Sequence, residues 1–275
     1  MINFFAINWA PSPEIFSIGP LTLRYYSLLF VSGFIIGYYI FSWFFKREGV
    51  PQRILENLLY TLLIATMVGS RLGHCFFYEP EYYLARPLEI LKIWEGGLAS
   101  HGGAIGILIA MWWFVRKYGS RYGFDFLWIM DRLGIATALA GMMIRLGNLM
   151  NSEIYGNPTD LPWGFIFTLR GETVPKHPTQ LYEALAYLAL FLVLILIYKK
   201  YLPKLKRGTL FALFLIGLFA ARFFIEFVKE PQVEFEQTMS LNMGQWLSVP
   251  FILGGVALLV YSYMRGKPAM ISSKK

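Results

Sequence analysis

Charged residues and cysteines are scarce in this 275-residue sequence. Only 15% of its residues are charged, whereas 56% are hydrophobic and 18% are aromatic. An average soluble domain has about 25% charged and about 45–50% apolar residues. The composition therefore excludes a disordered chain, a coiled coil and a nucleic-acid-binding arm. It also disfavours a soluble enzyme, because one core could not bury so much apolar surface. The single cysteine, Cys75, excludes an internal disulfide and a metal site built on paired cysteines.

Long apolar runs dominate the sequence instead. A membrane-spanning helix needs about 20 mainly apolar residues, and seven such runs predict an all-α integral membrane protein with seven transmembrane helices. The predicted spans are about 21–45, 54–76, 99–115, 124–146, 179–198, 208–228 and 245–264, each boundary being placed to within a few residues. We expect a single polytopic domain over residues 1–275, with interfacial segments and a small outer-side head at about 147–177. The first residues lack a basic n-region and a small-residue cleavage site, so we expect no removable signal peptide.

The net charge of +8 is explained by the predicted topology. With seven spans, one side of the membrane carries fifteen lysines and arginines and the other side carries five. The positive-inside rule then predicts a cytoplasmic C-terminus and an outer, periplasmic N-terminus. Because this asymmetry accounts for most of the basic residues, we expect no nucleic-acid partner.

Four arginines lie inside or at the ends of apolar spans: Arg71, Arg132, Arg145 and Arg222. A central arginine costs about 2.5–3.5 kcal/mol on insertion scales, so such residues usually face a partner or a wet cavity. For Arg71 and Arg132, snorkelling at a helix end is an equal alternative, with Asp131 a candidate neighbour of Arg132. Arg222 and Glu226 are four residues apart and share a helix face. This spacing fits either a packing ion pair or part of a site.

Three polar clusters accompany these arginines on the predicted outer side. His101 stands before Gly102 and Gly103 at the start of the third span, where it can be a structural hydrogen-bonding group or a proton acceptor. A second cluster joins one cation, two amides and a carboxylate within nine residues, and its members are Arg145, Asn148, Asn151 and Glu153. Such a set can bind a polar head group, or it can simply cap the fourth helix.

The third cluster is His177-Pro178-Thr179-Gln180-Leu181-Tyr182-Glu183. Thr179 is a candidate N-cap for the fifth span. Glu183 would then gain from the helix dipole, and we interpret His177 as structural.

These stretches resemble those of the bacterial prolipoprotein diacylglyceryl transferases, over nearly the whole chain. The family pattern Gly-Arg-x-Gly-Asn-Phe-x-Asn-x-Glu-x-x-Gly is matched by residues 144–156, with departures at Ile144 and Leu149. Residues 94–103 resemble the family's histidine motif, and 177–183 resemble its His-Pro-Ser/Thr-Gln-Leu-Tyr-Glu. Further similarities occur at 24–26, at Arg222 with Glu226, and at 244–248. Leu218 stands where some members have a functional tyrosine.

The resemblance implies an activity in the bacterial inner (cytoplasmic) membrane. The sn-1,2-diacylglyceryl group of phosphatidylglycerol would be transferred to the thiol of the lipobox cysteine of a preprolipoprotein, and glycerol-1-phosphate would be released. This is the first step of bacterial lipoprotein maturation. The displacement at carbon needs a thiolate and cations that stabilise the departing phosphate. No metal or redox cofactor is expected, and the lipid bilayer is an expected partner.

The resemblance also implies roles for individual residues. His101 would be the thiol base or help to form it, and Arg145 and Arg222 would hold the lipid phosphate while Glu226 orients Arg222. The groups expected to contact the lipid's glycerol or ester groups are Tyr26, Asn148 and Asn151, with Gly102 and Gly103 lining the site. Glu153 would fix its loop by pairing with a nearby cation, and Cys75 would be an apolar filler.

Two other classes of protein share this composition. A transporter or channel would line a pathway with the same arginines, although the sequence shows no inverted repeat. A non-catalytic lipid-binding or scaffold protein could hold an anionic lipid in the same cavity. Release of glycerol phosphate in the presence of a lipobox peptide would separate the three classes.

Overall fold

Long helices form most of the structure, a computed structural model that describes residues 6–19, 21–231 and 240–271. The helices are α1 (Tyr25–Glu48), α2 (Gln52–Phe77), α3 (Pro80–Ala85), α4 (Ser100–Tyr122), α5 (Phe126–Met150), α6 (Thr179–Tyr201), α7 (Thr209–Ile225) and α8 (Met243–Arg265). Four short strands accompany them, namely β1 (Ile7–Trp9), β2 (Glu14–Ile18), β3 (Leu21–Arg24) and β4 (Phe165–Phe167). The protein is therefore mainly helical, as predicted, with two small sheets that the apolar runs did not indicate.

Six of these helices are long and apolar enough to cross a membrane, so the chain is a multi-pass membrane protein. They are α1, α2, α5, α6, α7 and α8. The seventh predicted span, 99–115, coincides with α4, which has 23 residues but does not belong to the six. Its sequence mixes glycines, a histidine and basic residues with the apolar ones, which lowers its mean hydropathy. A seventh crossing and the orientation of the termini stay predictions.

The first span begins later than predicted. Residues Leu21–Arg24 form strand β3, which pairs antiparallel with β2 through Ile18↔Leu21 and Glu14↔Arg24. Helix α1 begins only at Tyr25. The helix starts four residues after the approximate boundary of 21, because hydropathy alone does not separate an apolar strand from an apolar helix.

The helices and strands form two compact units. One unit extends to Ile40 and resumes from Met130 to Met270, and the other covers Phe41–Ile129 with Ile271. In the first unit, α7 packs against α6 and α8. Asp131 of α5 binds the start of α7, because its carboxylate accepts hydrogen bonds from the backbone N–H groups of Gly208 (2.8 Å) and Phe211 (2.9 Å). A buried carboxylate therefore caps a helix from a neighbouring helix.

The small head predicted at 147–177 contains its own packed cluster. Strands β1 and β4 pair in parallel, with Ile7 opposite Phe165 and Trp9 opposite Phe167. Phe165, Phe167 and Leu149 are buried together, and Trp9 packs against them. The Trp9 indole also donates a hydrogen bond to the Leu149 carbonyl, at 2.9 Å. These contacts anchor the chain directly after α5.

In the second unit, α2 and α4 pack closely along glycines. A Cβ added to Gly102 would lie 2.6 Å from the Gly73 Cα, and one added to Gly106 would lie 2.6 Å from the Ala65 carbonyl oxygen. Small residues of this kind let membrane helices approach each other. An open apolar groove of about 680 Å³ runs along the same two helices, between Tyr60 on α2 and Trp113 on α4.

Candidate active site

The polar cluster at the end of α5 includes a tight loop around Glu153. The Glu153 Oε1 accepts hydrogen bonds from the side-chain amides of Asn148 (2.7 Å) and Asn151 (3.3 Å). The backbone turns sharply here, since Ser152 and Ile154 both have positive φ angles, 52° and 63°. Glu153 was expected to pair with a cation, but its partners in the described chain are these two amides. The reason is local, because a carboxylate accepts from any donor and the nearest donors are the two asparagines.

Two residues of α6 hold this loop from the other side. Thr179 Oγ1 donates to the Ile154 carbonyl at 2.8 Å, and Gln180 Nε2 donates to the Glu153 carbonyl at 2.7 Å. Thr179 is therefore not the N-cap that the sequence predicts. The N-cap is Pro178, and Thr179 is the first helical residue. Its hydroxyl satisfies a loop carbonyl that would otherwise be buried without a partner.

Arg145 and Glu183 form an ion pair at the centre of the cluster. Arg145 Nε lies 2.9 Å from Glu183 Oε2, and the Glu183 side chain is fully buried. The N–H is not aimed at the oxygen, so the contact is electrostatic and not a directed hydrogen bond. Arg145 Nη1 also reaches Asn148 Oδ1 at 3.4 Å. Glu183 was expected to interact with the helix dipole, whereas its burial beside a guanidinium gives it a much stronger partner.

Lys229 joins the same cluster and extends it to Glu226. Its Nζ lies 3.5 Å from Glu183 Oε1 and 3.3 Å from Glu226 Oε2. Lys229 is only 6% exposed. One buried lysine thus lies between two buried carboxylates, and one of these also pairs with Arg145.

Arg222 occupies the last turn of α7 without the partner predicted for it. No ion pair joins Arg222 to Glu226 within the described ranges, because the Glu226 carboxylate lies against Lys229. Arg222 Nε is buried and has no hydrogen-bond partner among the residues that the structure describes. The Tyr187 phenol interacts electrostatically with both Arg222 and Arg145. An unsatisfied buried donor on a cation is costly, and an anionic ligand would relieve that cost.

Tyr26 packs directly on the start of this loop. A Cβ added to Gly147 would lie 2.8 Å from Tyr26 Cδ2. The Tyr26 phenol interacts electrostatically with Glu153 and Arg145. The structure therefore brings together a set of predicted site residues within one unit: Tyr26, Arg145, Asn148, Asn151 and Glu153. Arg222 and Glu226 belong to the same cluster through Tyr187 and Lys229.

The remaining predicted site residues lie in the other unit. His101 is the second residue of α4 and is exposed, with its ring centroid 5.3 Å from that of Phe77 and 5.7 Å from that of Tyr78. Gly102 and Gly103 are buried. Gly102 lies against Gly73, and a Cβ on Gly103 would lie 2.6 Å from Ser70 Oγ. Helix packing alone is thus a sufficient reason for both glycines.

The two arginines whose role was left open are structural. Arg71 donates three hydrogen bonds to backbone carbonyls, those of Glu89 (2.6 Å), Ile90 (3.0 Å) and Gly96 (2.6 Å). It therefore fixes the chain before α4. Arg132 is fully buried and donates to the Ala269 carbonyl at 3.0 Å. Neither residue snorkels, since both are buried with protein partners.

Ionisable groups of the head form a separate cluster around Lys176. Its Nζ lies 2.9 Å from Glu172 and 2.8 Å from Glu230. Burial lowers the pKa of Lys176, but the hydrogen bonds to the two carboxylates outweigh burial and leave the pKa above its ordinary value. Burial also lowers the pKa of His177. The His177 Nδ1 lies 3.2 Å from the Tyr182 hydroxyl, which suits the structural role predicted for it.

Sequence reasoning missed Lys229 and Tyr187, and it underrated Glu183. Lys229 looked like an ordinary loop lysine, although its spacing of three residues from Glu226 was a signal. Tyr187 lies one turn after Glu183 on α6, within an apolar run that hid it. In the part of the chain that the structure describes, no three His, Cys, Asp or Glu side chains come together in a group that could hold a metal ion.

Comparisons with known proteins agree on one family. The family model described as prolipoprotein diacylglyceryl transferase matches residues 13–261. The chain is 50% identical over 254 residues to the phosphatidylglycerol–prolipoprotein diacylglyceryl transferase of Tolumonas auensis, covering 92% of this chain and 96% of the relative. Proteins with the same name are 45% identical in Chloroherpeton thalassium (93% and 94% covered) and 42% identical in Bacteroides fragilis (93% and 95% covered).

Proposed function

The chain belongs to the prolipoprotein diacylglyceryl transferase family, and on that premise we propose that the cluster around Arg145 is its active site. The family carries out the first step of lipoprotein maturation. The reaction transfers the sn-1,2-diacylglyceryl group of phosphatidylglycerol to the lipobox cysteine of a preprolipoprotein. The observation that carries the site assignment is the group of cations around Glu183, in which Lys229 is buried, Arg145 is partly buried and Arg222 keeps a buried, unsatisfied Nε.

The transfer is a displacement at carbon. The sulfur of the cysteine thiolate forms a bond to the glyceryl methylene carbon, and the bond from that carbon to the phosphate oxygen breaks. The electron pair leaves with the oxygen as glycerol-1-phosphate, while the thiol proton passes to a base. Arg145 and Arg222 hold the phosphate and stabilise the charge that develops on the leaving oxygen.

The neutral groups of the loop orient the lipid. Glu153 holds the side-chain amides of Asn148 and Asn151 in place, so that their remaining hydrogen-bonding capacity can serve a head group. Tyr26 lies against Gly147 beside this loop and supplies a hydroxyl for the glycerol or ester oxygens. Glu226 is not assigned to the lipid, because its carboxylate lies against Lys229. His101 is the candidate base for the thiol, and Gly102 and Gly103 are candidates for lining the lipid site.

The membrane topology that we propose follows from the unequal distribution of lysines and arginines between the predicted loops. Seven helices cross the bacterial inner membrane as one polytopic domain, with the N-terminus in the periplasm, the C-terminus in the cytoplasm and the site toward the periplasmic half. Helix α4 is the seventh crossing. Reporters inserted in the 79–98 segment and after Tyr122 must then report opposite sides of the membrane. Reporters on the same side would contradict the α4 crossing without affecting the reaction.

One assay tests the activity against its rivals. Purified protein is given phosphatidylglycerol and a lipobox peptide, and both glycerol phosphate and the thioether product are measured. A peptide with serine in place of the lipobox cysteine is the control and should release nothing. A transporter or a lipid-binding scaffold would release no glycerol phosphate with either peptide.

The Arg145→Lys variant tests the site. Lysine keeps the positive charge but loses the planar pair of donors, and losing one such transition-state donor typically costs about 100-fold or more in rate. Arg86→Lys is the matched control, since Arg86 is exposed and lies over the Tyr82 ring. Turnover of Arg145→Lys within a few-fold of the control would remove Arg145 from the phosphate site.

A further inference from the structure

Lys229 lies between the two carboxylates that could neutralise the arginines of the site. Its ammonium group is 3.3 Å from Glu226 Oε2 and 3.5 Å from Glu183 Oε1. All three side chains are buried, with exposures of 6% for Lys229, 8% for Glu226 and 0% for Glu183. The proposed mechanism places only Arg145 and Arg222 on the phosphate, so the position of a third cation at this point calls for a reason.

The Glu226 carboxylate has two candidate cationic partners nearby in sequence, Arg222 and Lys229. It lies four residues after Arg222 along the same helical path, and residues at this spacing are neighbours on a helix. It also lies three residues before Lys229, where the ammonium group holds it. Gly244 of α8 leaves room for the carboxyl group on the opposite side, since a Cβ there would lie 2.5 Å from Glu226 Cδ. The Glu226 carboxyl group thus lies beside Lys229 and Gly244, and no ion pair joins it to Arg222 among the described residues.

The consequence is visible at Arg222. Its Nε is buried without a hydrogen-bond partner among the described residues, although a carboxylate that could satisfy it is nearby in sequence. A guanidinium that is already paired with a carboxylate must lose that pair before it can bind a phosphate, and this competition weakens binding. A guanidinium left unsatisfied binds the phosphate without that loss.

We propose that Lys229 is a positioning residue that sequesters Glu226, and so keeps Arg222 free to bind the phosphate of the lipid substrate. The inference rests on the proposed function, because it assumes that Arg222 meets that phosphate. Lys229 does not touch the reacting atoms. It acts on substrate binding through a competing carboxylate.

A double-mutant cycle of Lys229→Gln and Glu226→Gln tests this coupling. In the presence of Glu226, the Lys229→Gln change frees the carboxylate to pair with Arg222, so the apparent affinity for phosphatidylglycerol should fall about tenfold or more, corresponding to about 1.4 kcal/mol. In the Glu226→Gln background the competing carboxylate is gone, so the same lysine change should cost less than about threefold. The KM for phosphatidylglycerol should carry the effect, with kcat changed much less.

Lys176 provides a matched control. It is also a buried lysine between two carboxylates, at 2.8 Å and 2.9 Å, and it is 5% exposed. Lys176→Gln should leave the KM within about twofold of the original protein, because its carboxylates have no arginine of the site to neutralise. Lys229→Arg should restore most of the affinity, since arginine can hold the same carboxylate.

The possible outcomes distinguish a failure of the proposed function from a failure of the role proposed for Lys229. If the unmodified protein releases no glycerol phosphate, the proposed function is wrong. The double-mutant cycle is then measured as the affinity of each variant for phosphatidylglycerol vesicles. If the unmodified protein is active but Lys229→Gln has the same effect with and without Glu226, the sequestering role is wrong. Thermal unfolding of each variant in detergent shows whether a loss of activity reflects a loss of folded protein. If the loss of affinity in Lys229→Gln is fully explained by a loss of folded protein, the inference is also wrong.

Discussion

Arg145 and Glu183 are joined by a 2.9 Å ion pair, and the carboxylate is fully buried. Lys229 approaches the second oxygen of the same carboxylate at 3.5 Å. One glutamate on α6 therefore holds two cations that come from α5 and from the segment after α7. In a chain with so few charges, this glutamate links three separate parts of the sequence.

Glu183→Gln should destabilise the fold strongly. Glutamine has the same shape, but it leaves the partly buried Arg145 and the buried Lys229 without their shared carboxylate. Removing one partner of a buried pair typically costs about 3–5 kcal/mol. The measurement is thermal unfolding of the purified protein in detergent. Added inorganic phosphate should recover part of the loss, since an anion can replace the carboxylate.

The control for Glu183 is Glu14→Gln. Glu14 pairs with Arg24 at 3.3 Å, but both side chains are about half exposed, and such pairs contribute about 0–1 kcal/mol. An equal drop in unfolding temperature for the two variants would show that burial of the Arg145–Glu183 pair is unimportant.

Gly147→Ala should lower transfer activity while the protein remains folded. The added methyl group would come within 2.8 Å of Tyr26 Cδ2 and 3.3 Å of the Tyr26 Cα, so the tyrosine ring must move away from the loop. We expect about a tenfold loss in kcat/KM, since small displacements of positioning groups have effects of this order or larger. Gly254→Ala is the control, because nothing lies within 4 Å of the added atom. Equal activity of the two variants would exclude Tyr26 from substrate positioning.

The sequence predicted the helices well because the membrane imposes a simple rule on them. Apolar runs near 20 residues correspond to helices in a bilayer, and all seven runs coincide with helices of the structure. The approximate start of the first span falls in a short apolar strand, Leu21–Arg24, that precedes α1. Hydropathy measures transfer from water, and it does not distinguish a strand from a helix.

The site was harder to predict because its contacts join residues that are far apart in sequence. The amides and carboxylate of residues 148–153 were found, since they lie close together along the chain. The expected pair of Arg222 with Glu226 was not formed, because Lys229 competes for the carboxylate. Spacing can show that two residues share a helix face. It cannot show which of two neighbouring cations a carboxylate prefers once the chain is folded.

Gly102→Ala and His101→Gln separate packing from chemistry at the start of α4. Alanine at 102 would bring its Cβ within 2.6 Å of the Gly73 Cα, so α2 and α4 must separate and the unfolding temperature should fall. Gly37→Ala, where nothing lies within 4 Å of the new atom, should leave the unfolding temperature unchanged.

His101→Gln keeps hydrogen-bonding ability but removes the proton acceptor. Stability should therefore be unaffected while transfer to a lipobox peptide falls about 100-fold or more. Near-normal transfer would show that His101 is not the base.

The Lys176 cluster should make the stability of the head sensitive to acid. Burial alone would raise the pKa of Glu172, but hydrogen bonds from Lys176 and Tyr155 outweigh it and hold the pKa below its ordinary value of 4.5. A carboxyl group with a lowered pKa stabilises the fold above the pKa of the unfolded chain, and this contribution disappears as the pH falls through the folded pKa. The difference in unfolding temperature between the original protein and Glu172→Gln should be constant above about pH 5.5 and should shrink below about pH 4.5. Glu56→Gln provides a control, because the Glu56 side chain is exposed. A difference for Glu172→Gln that does not change down to pH 3 would show that the carboxylate contributes nothing to the head through its charge.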